Sequence, residues 1–377
     1  MNPTLINLFD YEREAENRIP PSHWGYIAGG ANDEMTLSAN RAAFDRILIR
    51  YRTMVDVSTR DLSTSVLGVP VSMPVLVAPT AMQKLAHAEG ECATARAVRS
   101  AGTLMITSTT ATTRLGEVIA AAPGPMWFQV YLYQDRGKSR ALIERAVEAG
   151  YTGVVLTVDS PVLGRRERDI RLGFTLPRHL TIANAADAGM DVVPEASPEQ
   201  SGLMLHFRSL HDAALLPRDI TWVREVSGLP VIVKGIVRGD DAERAVEHGA
   251  DAIVVSNHGG RQLDTAIPSI TALPDVMESV DGRAEVYVDG GIRRGTDVIK
   301  AISLGARAVL IGRPVLWGLA VNGQAGVAGV LELLRQEIDV AMALSGARSI
   351  PELTRDLVVT GDGGTGYGGQ GIGTRDS

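Results

Sequence analysis

Residues 243–257 read ERAVEHGADAIVVSN, and the chain repeats this pattern three more times. The counterparts are ARAVRSAGTLMITS at 95–108, ERAVEAGYTGVVLTV at 144–158 and IKAISLGARAVLIGR at 299–313. Each opens with an Ala-rich amphipathic helix that stops at a glycine. A glycine just past a helix suits the left-handed C′ position. Each closes with an unbroken apolar, β-branched run, which suits a strand buried on both faces of a parallel sheet. The unit is helix–turn–strand, and the repetition decides the fold.

Working outward, apolar runs bring the strand candidates to eight: 75–79, 104–108, 127–131, 153–158, 231–235, 252–256, 285–289 and 307–312. Eight strands alternating with helices predict an α/β fold, the (β/α)8 TIM barrel. An open doubly wound sheet is the alternative; the count of eight and the lack of GxGxxG after the first strand argue against it. Residues 1–360 are expected to form one barrel domain, with 1–70 as an N-terminal helical cap. Residues 160–230 far exceed a usual βα connection. They read as a lid insertion over the barrel mouth, with a small structural insertion as the alternative. The tail 361–377, GDGGTGYGGQGIGTRDS, has too little apolar content to bury a core and is expected to be flexible.

Composition narrows the function classes. The chain has 377 residues, 45% hydrophobic and 21% charged, with a formal net charge of −7, so no basic footprint for nucleic acid is present. Its single cysteine, Cys92, excludes an intrachain disulfide and a multi-cysteine metal site; it is expected to pack as a small helix residue. No metal site is expected. The start, MNPTLINLFDYERE, lacks a signal-peptide pattern, and no membrane-length apolar run is evident, so a cytoplasmic location is expected.

Barrels carry their sites at the C-terminal ends of the strands. There the apolar runs stop at Pro79-Thr80-Ala81, Ser108, Gln129 with Tyr131, and Thr157 with Asp159. The ring continues through Lys234, Ser256 with His258 and Arg261, Asp289 to Arg293, and Gly312-Arg313. Any one of these is explained as a helix cap; a whole ring at one face is not. VDGGIRRGTD and LIGRPV each end a strand and open a helix after strands seven and eight, where barrels bind phosphate. Tight turns with solvated arginines are the alternative. Lys234 lies in the apolar strand VIVKG, where an unpaired ammonium is expensive. It either meets a carboxylate across the barrel or faces an anionic cofactor or intermediate. In SNHGGRQLD (256–264), His258 is the natural general base and Arg261 a fork for a carboxylate. The pair suits proton removal from the carbon, or the hydroxyl, next to a carboxylate. A lone histidine would read as a cap or core residue, but here Arg261, Lys234 and the phosphate loops share its face.

With GGANDE (29–34), APTAMQKLAHAEGE (78–91), WFQVYLYQDR (127–136), LTVDSPVLGRRERD (156–169), VIVKGI, SNHGGRQLD, VDGGIRRGTDV and IGRPV, the chain resembles the FMN-dependent 2-hydroxy acid oxidase and dehydrogenase family. That family includes glycolate oxidase, lactate oxidase and mandelate dehydrogenase. The resemblance implies FMN, a homotetramer, and oxidation of an (S)-2-hydroxy acid to the 2-keto acid. Reoxidation by O2 would give H2O2; the alternative is a dehydrogenase passing electrons to a quinone or protein acceptor. It implies His258 as base, oriented by Asp159. Arg261 and Tyr26 would hold the substrate carboxylate, with Arg166 as a second positive group and Tyr131 touching the hydroxyl or carboxylate. Lys234 would stabilise the reduced flavin. Pro79, Thr80 and Ala81 would face its ring, with Ser108, Gln129, Thr157 and Ser256 as further contacts. Asp289 would take the ribityl chain, and Gly290, Gly291, Arg293, Gly312 and Arg313 the ribityl or phosphate. Ala81 matches family oxidases. Thr110 departs from the tryptophan of plant glycolate oxidase, which implies a wider pocket. A related phosphate-binding isomerase or nucleotide dehydrogenase would lack the His258–Arg261 pair. A non-catalytic flavin-binding scaffold is disfavoured by the complete set His258, Arg261, Tyr26, Tyr131 and Lys234.

Overall fold

Strands that are apolar on both faces must be covered on both, and this chain does so by closing them into a ring. The computed structural model describes residues 5–186 and 211–361. Its barrel strands are β1 (Val75–Val77), β2 (Ile106–Ser108), β3 (Trp127–Val130) and β4 (Gly153–Thr157), then β5 (Val231–Ile236), β6 (Ala252–Val255), β7 (Glu285–Asp289) and β8 (Ala308–Ile311). All pair in parallel with their sequence neighbours from β2 through β8, and β8 pairs with β1 through Val309 and Val75. The last seam, β1 to β2, is stitched by Val77 N–H donating to the Leu104 carbonyl at 2.9 Å and by a bridge between Val77 and Met105. The expected TIM barrel is therefore the observed one.

Inward side chains such as Leu76, Ile106, Trp127, Ile232, Val254 and Tyr287 fill the barrel, and the hairpin Thr64–Val66/Val69–Val71 adds Val66 and Val71 to that cluster. Outward residues such as Val75, Phe128, Val154, Val233 and Val288 join the shell core. The surrounding helices are α4 (Gly90–Ser100), α5 (Leu115–Ala121), α6 (Arg136–Ala149), α8 (Arg218–Ser227), α9 (Gly239–Glu247), α10 (Ser269–Val280), α11 (Gly295–Ser303) and α12 (Arg313–Ser345).

Several strands end one or two residues earlier than their apolar runs. Pro79 has no N–H to give and the Tyr131 N–H goes to the Thr109 hydroxyl, whereas Val158 and Ser256, just past their strands, still donate to the Lys234 and Ile236 carbonyls at 2.9 and 3.1 Å. β5 instead bulges: its register against β6 shifts between Lys234 and Ile236. Gly235, at φ +110°, occupies the bulge, and a Cβ there would stand 2.6 Å from the Asp159 side chain. Glycine is thus required for β4 and β5 to bring Asp159 and Lys234 together.

The N-terminal cap is α1 (Leu8–Arg18), α2 (Pro21–Ala28) and α3 (Met35–Asp45). It is tied to the loop after β6 by Ala31 N–H to the Gly260 carbonyl (2.8 Å) and Thr36 N–H to the Asp264 carboxylate (2.8 Å). Of the insertion at 160–230, residues 187–210 lie outside the described residues. Its described parts are structured: α7 (Glu167–Arg171) packs on α2, and α8 is a barrel helix. The tail 362–377 also lies outside them.

Two expectations are corrected. Helix α12 spans 33 residues and contains a membrane-length apolar window. That window is 72% buried, and the helix is broken at Asn322 and Gly323, so its apolar length serves the core. Cys92 is only half-buried on α4, with its Sγ 3.8 Å from the Glu117 carbonyl; burial pushes its thiol pKa up, which leaves it a poor nucleophile.

Candidate active site

Asn257 begins the tight turn that aims His258. Its side-chain oxygen accepts from the Gly260 N–H at 3.1 Å, and its amide exchanges two 2.8 Å bonds with Asn40 of α3. His258 adopts φ +60°, followed by Gly259 at +63° and Gly260 at +75°. A left-handed histidine is strained, and the surrounding bonds must hold it there. What the turn secures is contact: His258 Nδ1 lies 2.8 Å from Asp159 Oδ1, and Ser160 Oγ donates to the same oxygen at 2.9 Å.

The electrostatics follow from burial. Burial lowers the His258 pKa below the ordinary imidazole value; Asp159 opposes this, while Lys234 and Arg166 reinforce it. Burial alone would raise the Asp159 pKa, but His258, Lys234 and Ser160 outweigh it and hold the carboxyl below its usual range. An ionised Asp159 can only accept, so Nδ1 carries the imidazole proton and Nε2 keeps its lone pair. His258 lines the cavity at the barrel mouth.

Beside it stands a group suited to a carboxylate. Arg261 Nη1 donates to the Tyr26 and Gly29 carbonyls at 2.7 and 2.8 Å, and its Cζ lies 4.9 Å over the Tyr26 ring. Tyr26 stacks on Phe174 with 4.5 Å between centroids. Arg166 donates to the Arg261 carbonyl at 3.3 Å; burial, then repulsion from Arg261, pushes its pKa down to about 10. Tyr131 completes the wall, its phenol pKa raised by burial and by Asp159.

Lys234 is almost fully buried. Its Nζ meets Asp289 Oδ2 at 3.1 Å and donates to Ser256 Oγ at 2.9 Å. Burial lowers its pKa, but Asp289 and Asp159 more than compensate, so it stays an ammonium. Lys234 therefore pairs with a carboxylate across the barrel, the first of its two readings, and it also lines the cavity. Ser256 and Gln129 stand behind the wall, since neither lines the cavity. Ser256 serves Lys234 and the His258 N–H (3.1 Å), while Gln129 Oε1 accepts from Ser108 at 3.2 Å. The other predicted site residues, Asp159 excepted, all line the cavity.

The phosphate reading needs revision in one part. The amides of Arg293 and Arg294 before α11 both donate to Asp297 Oδ2 at 2.9 Å, and Gly295 N–H goes to Glu337. The N-terminus of α11 is therefore already capped. Gly291 has a packing reason to be glycine, since a Cβ would lie 2.1 Å from the Asn40 carbonyl, and it also lines the cavity. The guanidiniums of Arg293 and Arg313 and the start of α12 remain. Burial pushes Arg293 down to about 10, and burial with repulsion from Arg261 and Arg293 pushes Arg313 well below its ordinary value. A Cβ on Gly312 would meet nothing nearer than 3.6 Å, so that backbone is open to a ligand.

A family model described as FMN-dependent dehydrogenase matches residues 15–360. The chain belongs to the FMN-dependent dehydrogenase family. It is 54% identical to an L-lactate oxidase of a Nostoc species over 92% of this chain and 96% of the relative. It is 48% identical to glycolate oxidase 3 of Arabidopsis thaliana over 94% of this chain and 96% of that one. A solved structure of mandelate oxidase with (S)-4-hydroxymandelic acid superposes with a TM-score of 0.89 at 43% identity, covering 93% of this chain and 98% of that one.

The cavity fits the cofactor of the FMN-dependent dehydrogenases. Among the described residues, Gln129 Nε2, behind Ser108, and Thr157 Oγ1 and Asp289 Oδ1, on side chains that line the cavity, are buried polar atoms without a partner. A flavin ring carries carbonyls and ring nitrogens that suit the first two, and ribityl hydroxyls suit the third. Arg293 and Arg313 are half-buried cations that line the cavity and are suited to a phosphate. Residues not singled out in the sequence include Ser160, Leu163 and Met82, which lie within the quoted motifs, and Phe174, which lies outside them. Ser160 had a faint signal, being next to Asp159; Phe174 had none, since only the fold places it under Tyr26.

Arg293→Ala is expected to weaken FMN binding by about tenfold to a hundredfold, the loss of a charge-assisted contact of about 1.5–3 kcal/mol. Titration of the apoprotein with FMN, followed by fluorescence quenching, checks this; an unchanged Kd would remove Arg293 from the phosphate site.

Proposed function

We propose that this protein oxidises an (S)-2-hydroxy acid to the 2-keto acid, with O2 as the second substrate and H2O2 as the second product. The observation that carries it is His258, held by Asp159 at 2.8 Å, facing a cavity in which Arg261 and Arg166 offer charge to a carboxylate. The lactate, glycolate and mandelate oxidases it resembles act on acids of this class by their names.

The residues divide the work. Arg261, Arg166 and Tyr26 bind the carboxylate and so fix which face of the α-carbon is presented. Tyr131 contacts the hydroxyl end. His258 Nε2 takes the proton, and Asp159 stabilises the imidazolium that results. FMN, when bound, supplies acceptance of two electrons and their delivery to O2. Lys234 keeps a positive charge at the cofactor region, where negative charge develops. Thr110, buried in the wall and bonded to Ser108 Oγ at 2.9 Å, leaves room beyond the α-carbon for a side chain larger than that of glycolate. The proposed homotetramer rests on the family resemblance, and light scattering of the purified protein checks it; a cytoplasmic location is proposed beside it.

Wild-type protein is expected to form keto acid and peroxide in equal amounts. His258→Ala is expected to stay yellow with FMN while kcat falls by about a hundredfold or more. Full turnover in that variant would refute the base. Dye reduction without peroxide in the wild type would select the dehydrogenase instead.

The base must be unprotonated, so kcat/KM should fall as pH drops through the His258 pKa. That limb is expected below pH 6.5, the ordinary imidazole value, because the shift is downward. A pH profile at low substrate checks it; a limb clearly above that value would contradict the site's electrostatics. Thr110→Trp should cut kcat/KM for a branched or aromatic 2-hydroxy acid by about tenfold or more while sparing glycolate. Equal losses on both substrates would mean that Thr110 does not face the side chain.

A further inference from the structure

His211 is a buried histidine that the chemistry above does not use. It is 6% exposed and lies where the long connection between β4 and β5 returns to the barrel. Its backbone is stitched to the segment that follows β3. Tyr133 and His211 form an antiparallel bridge, Asp212 N–H donates to the Leu132 carbonyl at 3.0 Å, and Gln134 Nε2 donates to the His211 carbonyl at 3.2 Å. Arg136 fastens the next stretch by donating to Asp212 and Asp219 at 2.6 and 2.8 Å.

This stitching places the imidazole between two tyrosines. Its centroid is 4.7 Å from that of Tyr131, with the planes 34° apart, and 5.6 Å from that of Tyr133 at 62°. Tyr131 is thus a shared wall. One side faces the cavity that holds His258 and Arg166; the other faces a second cavity lined by His211, Leu215, Ile220 and Val233. A tyrosine ring turns about two bonds, and open space behind it lets it swing. The flat ring of His211 occupies that space and keeps the phenol directed at the substrate cavity.

We propose that His211 is a positioning residue for Tyr131, and that through it the β4–β5 connection sets the geometry of the substrate pocket. The inference rests on the reading that Tyr131 touches the substrate. What the position supplies to Tyr131 is a planar ring at 4.7 Å.

The test is a double-mutant cycle on the FMN-loaded enzyme, with kcat and KM measured separately. His211→Ala and His211→Leu are each expected to lower kcat/KM by about tenfold, while FMN content and the pH of the His258 limb stay unchanged. His211→Phe is expected to restore most of the loss, and the Leu and Phe variants decide the matter if the Ala variant does not fold. In a Tyr131→Phe background, His211→Leu should add little, because its effect passes through the phenol. Additive losses, or no rescue by phenylalanine, would overturn the proposal. If Tyr131→Phe alone changed nothing, the failure would lie in the reading of Tyr131 instead.

Discussion

Positive charge without matching negative charge is the constraint from which the site follows. Among the described residues, the cavity at the barrel mouth is lined by Arg166, Lys234, Arg261, Arg293 and Arg313 against one lining carboxylate, Asp289, with Asp159, Asp169 and Glu12 acting on these cations from behind it. Burying an unpaired cation costs several kcal/mol, so a protein tolerates such a set only where anions are to be bound. Asp289 takes Lys234, and backbone carbonyls take part of the need of Arg261 and Arg313. The remainder matches a phosphate at one end and a carboxylate at the other. Burial is the main reason that the His258 pKa lies below the ordinary imidazole value, and Lys234 and Arg166 add to it.

The barrel makes this arrangement affordable by spreading it over many elements. Parallel strands end at one face, so a polar residue after each apolar run reaches the same space. Fine placement then depends on local departures from regular geometry. The bulge at Gly235 lets Asp159 and Lys234 approach, and the left-handed turn at His258 to Gly260 directs the imidazole at Asp159. The cap contributes in turn, since Arg313 binds the Ile27, Gly29 and Gly259 carbonyls and so ties α2 to the loop that carries the base.

The fold was legible because burial on two faces leaves a simple signature. ERAVEHGADAIVVSN and its three counterparts state helix, stop and buried strand, and the site residues sit at the stops. His258, Lys234 and Arg261 were readable for that reason, as chemistry-bearing residues next to apolar runs. Strand ends were less legible, because the departure of Tyr131 depends on a neighbour, Thr109, whose hydroxyl takes its N–H, and not on local propensity. The reading of the RRGT segment as an open helix N-terminus failed for a similar cause. Asp297, two residues inside α11, takes the Arg293 and Arg294 amides, and apolar periodicity carries no sign of that.

The sequence by itself therefore determined the barrel, the family and the list of chemical groups at its mouth. Those follow from local patterns of burial, turns and residue type, which a linear chain displays. Only the tertiary structure decided which of them touch. Asp159 meets His258 across 99 positions, Lys234 chooses Asp289, Phe174 slides under Tyr26, and His211 comes to rest against Tyr131. Such partners are set by ring closure and by the path of the long connection, which are long-range packing outcomes that no short window of sequence contains.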